Sequence, residues 1–197
     1  MGKWGKRGRM YAGNSYIYLQ KYMPKEDDEI VERVLETSRV TRVTKGGKRF
    51  SFRAFCVVGN MKGAVGYGMG KALEPSEAIR KAVNSAKKNM IVIPIVNGTI
   101  PHEVEGKFGT SRVILRPAAP GTGITAGGTV KAIMTVAGIK NILTKSIGGN
   151  NPLTLTKAVF DAFSKLRTLS LQAKLRGKKL TELLWEENKA EGTIDNQ

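Results

Sequence analysis

The order of apolar and polar positions predicts a strand-rich first half of the chain. From residue 39 to 58, polar and apolar side chains alternate on either side of a Lys-Gly-Gly-Lys turn at 45–48, a pattern typical of a β-hairpin. A second turn is predicted at 59–63, and a third strand at 64–69. The glycines that alternate from position 66 to 70 predict that another backbone or a phosphate approaches this strand closely. From Pro75 onward apolar residues recur at helical spacing, so a helix with one basic side is predicted there.

The acidic segment at 26–36 predicts a further helix before the hairpin. Its acidic residues come early, where the helix dipole favours negative charge. Its apolar residues, at helical spacing, are Ile30, Val31, Val34 and Leu35. Residues 26–92 are therefore predicted to form an α-β-β-β-α domain.

Residues 93–170 are predicted to form a second domain. Its predicted elements are short extended pieces around 97–98, a turn at 106–110, a strand at 112–116, a Gly-rich loop at 117–128, a helix at 129–137, a short strand at 141–143 and a helix at 153–169. Because strands and helices do not alternate strictly, the fold class is α+β. The remaining segments are an N-terminal arm at 1–25 and a polar tail at 171–197.

Charge is distributed unevenly along the chain. The net charge is +17, and residues 37–160 carry 19 Lys and Arg against four acidic residues. Self-repulsion of this size is tolerated when a polyanion neutralises it, so nucleic acid is the favoured partner. An anionic membrane and a charge that serves solubility alone are the alternatives. No basic amphipathic anchor, lipidation motif or long apolar run supports the membrane. No secretory signal is expected, and a single cysteine fits a reducing compartment.

The arm at 1–25 carries six basic residues, no acidic residue, and several Tyr and Trp side chains. We interpret it as an RNA-binding arm whose rings stack on bases, and a disordered tail is the alternative. The two interpretations merge if the arm folds on binding RNA.

Two glycine-rich stretches resemble nucleotide-binding motifs, but each lacks residues that its motif requires. In GYGMGKA, at 66–72, Ala72 replaces the hydroxyl that a P-loop needs for magnesium, and Val65 occupies the first glycine position. GTGITA, at 121–126, matches a dinucleotide fingerprint, but no acidic residue follows until Asp161. Backbone amides of that loop and of the helix after it could still meet a phosphate.

Other catalytic chemistry lacks the necessary residues. His102 is the only histidine and Cys56 the only cysteine, which leaves no multi-histidine or thiolate metal site. Cys56 is expected to be a buried structural thiol. Glu103 and Glu105 share one strand face without an obvious third partner. We therefore predict neither enzymatic activity nor a cofactor, metal or small-molecule substrate.

Two long motifs resemble one family closely. RVTRVTKGGKRFSFRAFCVVGN followed by GAVGYGMGKALEPSEAIRKAVNSAKKN is similar to the N-terminal domain of small-subunit ribosomal protein five, bacterial type. VNGTIPHEVEGKFGTSRVILRPAAPGTGITAGG and AGIKNILTKSIGGNNPLTLTKAVFDAF resemble its C-terminal domain, and AKLRGKKLTELL its usual ending. The resemblance covers roughly residues 29–184 in unbroken order. It differs at Asn60, where the family commonly has Asp, and at Gly149, where it often has Ser.

This resemblance implies a double-stranded-RNA-binding-like domain followed by a small α+β domain with a left-handed β-α-β crossover. It implies a cytoplasmic constituent of the small ribosomal subunit, and an organellar ribosome is less favoured. The implied partners are small-subunit (16S-type) rRNA, ribosomal proteins four and eight, and mRNA where it enters the subunit. Binding at the back of the body near the neck would hold head against body and influence translational accuracy.

Basic turns, the basic helix face and the resemblance together define the candidate site. The residues predicted to bind rRNA are Lys45, Gly46, Gly47, Lys48, Arg49, Arg53, Lys62, Gly66, Gly68, Gly70, Lys71, Arg80, Lys81, Lys87, Lys88, Gly121, Thr122 and Gly123. The resemblance places Gly109, Thr110, Ser111 and Arg112 toward protein four. One alternative is a double-stranded-RNA-binding regulator or chaperone outside the ribosome. The other is a nucleotide-dependent enzyme, which the failed phosphate motifs disfavour.

Overall fold

The computed structural model describes Tyr22, residues 29–168 and residues 175–177. The elements in chain order are β1 (Val31–Thr44), β2 (Gly47–Gly59), β3 (Ala64–Ala72), α1 (Pro75–Lys88), β4 (Ile91–Val92), β5 (Val104–Phe108), β6 (Ser111–Pro117), β7 (Ile124–Thr125), α2 (Gly128–Ala137), β8 (Ile142–Gly148) and α3 (Pro152–Lys165). Most of the arm and most of the C-terminal tail lie outside the described residues, so the interpretation of the arm is not tested.

Strands β1 to β4 form an antiparallel sheet in that order, with α1 on one face. Thr44 pairs with Gly47, so Lys45 and Gly46 form the two-residue turn between β1 and β2, and Gly47 has a φ of 131°. Such a φ is open to glycine and strained for other residues. The predicted hairpin, third strand and basic helix are confirmed.

The helix predicted at 26–36 is wrong for residues 29–36. Glu29 and Ile30 have no regular structure, and β1 begins at Val31. Val31 and Leu35 both pack against the core shared with the second sheet. Residues four positions apart lie on one face in a strand as well as in a helix, so this spacing does not distinguish the two. Residues 26–28 lie outside the described residues.

The alternating glycines of β3 are packing residues. Gly66, Gly68 and Gly70 are buried, and a methyl group on each would collide with the α1 backbone, first with the carbonyl oxygens of Ala86, Ala82 and Ala78 in turn. The absence of side chains therefore lets α1 lie directly on the sheet. The close approach that the sequence predicted is made by a protein backbone. The prediction that these glycines also lie against rRNA is not tested, and their burial gives it no support.

The second sheet has the strand order β5-β6-β8-β7. β7 and β8 are parallel and joined through α2, which makes a β-α-β crossover within one sheet. The predicted α+β fold class is confirmed, whereas the hand of the crossover and the domain boundaries stay predictions. β5 begins at Val104 and extends to Phe108, so the turn predicted at 106–110 is confined to Gly109 and Thr110.

The central part of the first sheet, in β2 and β3, is buried on both faces. Ala54 and Cys56 pack under α1, whereas Val57 and Val65 belong to a core shared with α2 and α3 of the second half. This explains why residues 54–60 are continuously buried. At the junction the Met61 N–H donates to the Val136 carbonyl oxygen (3.1 Å) and the Gly63 N–H to that of Ala137 (2.9 Å). The carboxyl end of α2 is thereby capped by the 59–63 turn.

Cys56 is expected to be unreactive in the folded chain. Burial, with a smaller contribution from the Glu32 carboxylate, raises the pKa of its thiol from 9.0 to about 11. The reactive thiolate at pH 8 is therefore about 100-fold scarcer than for a thiol of ordinary pKa. A colorimetric disulfide reagent should react slowly with the native protein and rapidly in concentrated guanidinium chloride. Equal rates in the two conditions would contradict the buried assignment.

Candidate nucleic-acid interface

The β1–β2 hairpin extends beyond the rest of its sheet. β3 pairs with β2 only as far as Phe52 opposite Ala72, so among the described strands β1 alone pairs with residues 47–51 of β2. We call residues 40–51 the projecting ribbon. This segment carries four basic residues and no acidic residue, and all four are exposed. They are Arg42, Lys45, Lys48 and Arg49.

Like charges face each other across this hairpin. Arg42 pairs with Arg49, and further down the same face Arg53 pairs with Lys71 of β3. Among the described residues no carboxylate forms an ion pair with either residue of the first pair, and only Glu36, at 3.6 Å, lies near Arg53. Like charges directly opposite each other destabilise a sheet. The arrangement therefore stores repulsion that an external anion would relieve.

The opposite face of the hairpin carries a stacked cation. The Arg39 guanidinium carbon lies 3.8 Å from the centroid of the Phe50 ring. Such a stack offers a flat, positively charged surface suited to a nucleobase. Arg39 and Arg42 were not among the site residues predicted from the sequence. The pairing of Arg42 with Arg49 follows from the observed two-residue turn, because the two arginines are equally distant from it. The longer turn predicted at 45–48 did not give this register.

The basic face of α1 is partly neutralised by ion pairs. Lys81 lies 3.3 Å from Glu77, and Lys87 lies 2.9 Å from Glu32 of β1. Arg80 and Lys88 are exposed and have no ion pair within the described part of the chain. Only part of the predicted helix surface therefore carries uncompensated positive charge.

The other predicted rRNA-binding residues lie in two separate places. Lys62 is exposed in the 59–63 turn, at the end of β2 opposite the hairpin turn. The loop of Gly121, Thr122 and Gly123 belongs to the second half of the chain. Its Gly121 and Gly123 amides donate to Asn141 Oδ1 and its Thr122 amide to the Ala119 carbonyl oxygen. The hypothesis that this loop offers free amides to a phosphate is therefore wrong at 121–123.

The predicted protein-contact segment surrounds the β5–β6 turn. Gly109 has a φ of 59°, and Gly109 and Thr110 are exposed. Ser111 is fully buried, with its Oγ 2.8 Å from both the Gly149 carbonyl oxygen and Thr154 Oγ1, so it holds the turn from inside. Arg112 is exposed and forms a 2.8 Å ion pair with Glu105.

Comparison with known proteins identifies the family. The N-terminal domain of ribosomal protein S5 matches residues 30–94, and its C-terminal domain matches residues 106–176. The chain belongs to the ribosomal protein S5 family. Proteins named small ribosomal subunit protein uS5 are 52% identical over 155 residues in Syntrophobacter fumaroxidans and 53% over 157 residues in Treponema denticola. These alignments cover 79% and 80% of this chain, and 93% and 91% of the relatives. The relative from Thermotoga petrophila is 54% identical over 149 residues, 76% of this chain and 84% of its own length.

Membership of the S5 family makes the chain a structural, non-enzymatic ribosomal protein. The residues that were candidates for catalysis make structural contacts instead. His102 Nε2 accepts the Arg167 N–H at 3.0 Å, and the paired glutamates Glu103 and Glu105 bind Arg116 and Arg112. Among the described residues no cluster of His, Cys, Asp and Glu could hold a metal ion. In the same part of the chain no helix has the length and apolar character to cross a bilayer.

Proposed function

We propose that this S5-family chain is a structural constituent of the small ribosomal subunit and binds rRNA through its projecting ribbon and α1. The like-charge pair of Arg42 and Arg49, with no acidic residue in the ribbon, carries this proposal. The A-form duplex shows its phosphates and 2′-hydroxyls, and cations on a narrow ribbon and on one helix face suit such a surface. The names of the relatives support the same assembly.

The finer parts of the proposal follow from the family resemblance. The chain would lie at the back of the body near the neck, hold head against body, and contribute to translational accuracy where mRNA enters, in the cytoplasmic ribosome. The Gly109–Arg112 turn would contact ribosomal protein four, and ribosomal protein eight would be a second neighbour. The ion pair of Arg112 supports a protein contact, because a neutralised cation contributes less to binding a phosphate.

Replacement of Lys88 should affect rRNA binding more than replacement of Lys87. Lys88 is exposed and unpaired within the described residues, whereas Lys87 already neutralises Glu32. In the full-length chain, Lys88→Ala should lower the slope of log affinity against log salt by about one, and Lys87→Ala by less than half of that. The measurement is rRNA binding over a salt series. Equal slopes for the two variants would contradict the neutralisation of Lys87 by Glu32.

Sedimentation of a cell extract at moderately high salt tests the assembly itself. The chain should co-sediment one-to-one with small subunits. The second candidate, a double-stranded-RNA-binding regulator outside the ribosome, is favoured by the same hairpin and helix. It predicts that the chain stays at the top of the gradient while active small subunits lack it, and that result would overturn the ribosomal proposal.

A further inference from the structure

The loop at 120–123 has no free backbone donor. Pro120 lacks an N–H group, the Thr122 amide donates to Ala119 at 3.2 Å, and the two glycine amides converge on Asn141 Oδ1 at 3.1 and 3.0 Å. Every amide of this exposed loop therefore points inward. A phosphate oxygen, which only accepts hydrogen bonds, finds no main-chain partner there.

Asn141 is placed to hold this shape. It is 9% exposed, and its own backbone N–H donates to the Gly98 carbonyl oxygen at 3.1 Å. The next residue, Ile142, donates its N–H to the Gly123 carbonyl oxygen at 3.0 Å. Gly121 and Gly123 have φ values of 94° and 73°, so the loop takes a left-handed course at both. One buried side-chain oxygen thus links the strand end to both left-handed residues.

The loop presents hydrogen-bond acceptors to a partner. The carbonyl oxygens of Pro120, Gly121 and Thr122 accept no hydrogen bond from the described residues, and the Thr122 hydroxyl is likewise unpaired there. A Cβ placed on Gly121 or Gly123 would meet no atom within 4 Å, so a flat surface can come close. The donors that RNA can present are ribose 2′-hydroxyls and base amino groups in the shallow minor groove.

We propose that Asn141 is a positioning residue that presents the 120–123 loop to an RNA minor groove through carbonyl oxygens and the Thr122 hydroxyl, not to a phosphate. This inference rests on the proposed function, since it needs the chain to bind rRNA. The loop and the projecting ribbon would therefore bind RNA differently. The ribbon supplies positive charge, whereas the loop accepts uncharged hydrogen bonds from ribose hydroxyls.

Amide hydrogen exchange of the free, full-length chain tests the positioning role. Asn141→Ala should speed exchange of the Gly121 and Gly123 amides at least tenfold, because both lose their acceptor. Asn141→Asp should restore slow exchange, since a carboxylate oxygen accepts the same two bonds. Thr135→Ala, a matched loss of a polar side chain on α2, should leave the loop unchanged. Slow exchange in Asn141→Ala would overturn the assignment.

Binding to small-subunit rRNA over a salt series tests the ligand chemistry. Thr122→Val keeps the shape of the exposed side chain and removes the hydroxyl, so it remains informative if Asn141→Ala folds poorly. Both variants should weaken binding about threefold to tenfold with an unchanged salt slope, because uncharged hydrogen bonds release no counterions. Wild-type affinity in both variants would overturn the proposal.

Failure of this inference is distinguishable from failure of the proposed function. If the wild-type chain does not bind rRNA, the proposed function itself fails. If the wild type binds with a steep salt slope and both loop variants bind equally well, rRNA binding stands and the loop contact is refuted.

Discussion

Gly68→Ala should destabilise the folded chain by about 3 kcal/mol or more, the high end of the cost of overpacking. The added methyl group would collide with the carbonyl oxygen of Ala82 and the amide nitrogen of Ala86, so the whole of α1 must lift away from the sheet. A domain is typically stable by only about 5–15 kcal/mol. The midpoint of urea unfolding should therefore fall by about 1–3 M.

Gly46→Ala is the matched control for this effect. Gly46 lies in the exposed hairpin turn, where a Cβ meets no atom within 4 Å and φ is not positive. Its replacement should change the free energy of unfolding by less than about 0.5 kcal/mol, as for most surface substitutions. If Gly68→Ala unfolded at the same urea concentration as the control, close packing of α1 on β3 would be refuted.

Replacing both Arg42 and Arg49 with Ala should have opposite effects on the free and the RNA-bound protein. Because the cross-strand repulsion is lost, the free energy of unfolding of the free chain should rise by about 0.2–0.5 kcal/mol. Binding to small-subunit rRNA should weaken about tenfold to hundredfold at 0.1 M salt, and the salt slope should fall by about two. Unfolding in urea and a salt series of binding measurements provide the two values.

The corresponding double replacement of Arg112 and Arg116 is a demanding control. It removes the same two charges from one strand, β6, but both arginines form ion pairs, with Glu105 at 2.8 Å and Glu103 at 3.0 Å. The salt slope of rRNA binding should then change by less than one. If the salt slope fell by about two for both double variants, net charge alone would determine binding. The projecting ribbon would then not be a specific rRNA contact.

Most elements of the fold could be predicted from local sequence patterns. The Lys-Gly-Gly-Lys turn, the glycine strand and the helix from Pro75 are encoded within short windows, because turn chemistry and side-chain periodicity act between near neighbours. The predicted first helix is wrong because apolar residues four positions apart fit a strand as well as a helix. Pairing with β2 decides for the strand, and a window that ends at residue 36 does not contain β2.

Long-range contacts decided the parts of the site that the sequence left open. Neutralisation of Lys87 by Glu32 joins residues 55 positions apart, a distance along the chain over which periodicity carries no information. The inward course of the glycine amides depends on Asn141, about 20 residues away. Alternating glycines predicted a close approach but not its partner, since a helix backbone and a phosphate make the same demand for space.

Burial of β2 and β3 on both faces of the first sheet has a consequence for synthesis of the chain. All four strands of that sheet are complete once residue 92 has been added, yet Val57, Val65 and Tyr67 await residues as distant as Phe160 and Phe163. At about 5–20 residues per second the nascent sheet would leave this apolar face uncovered for several seconds. Chaperone binding to the nascent chain should therefore be concentrated between completion of β4 and emergence of α3.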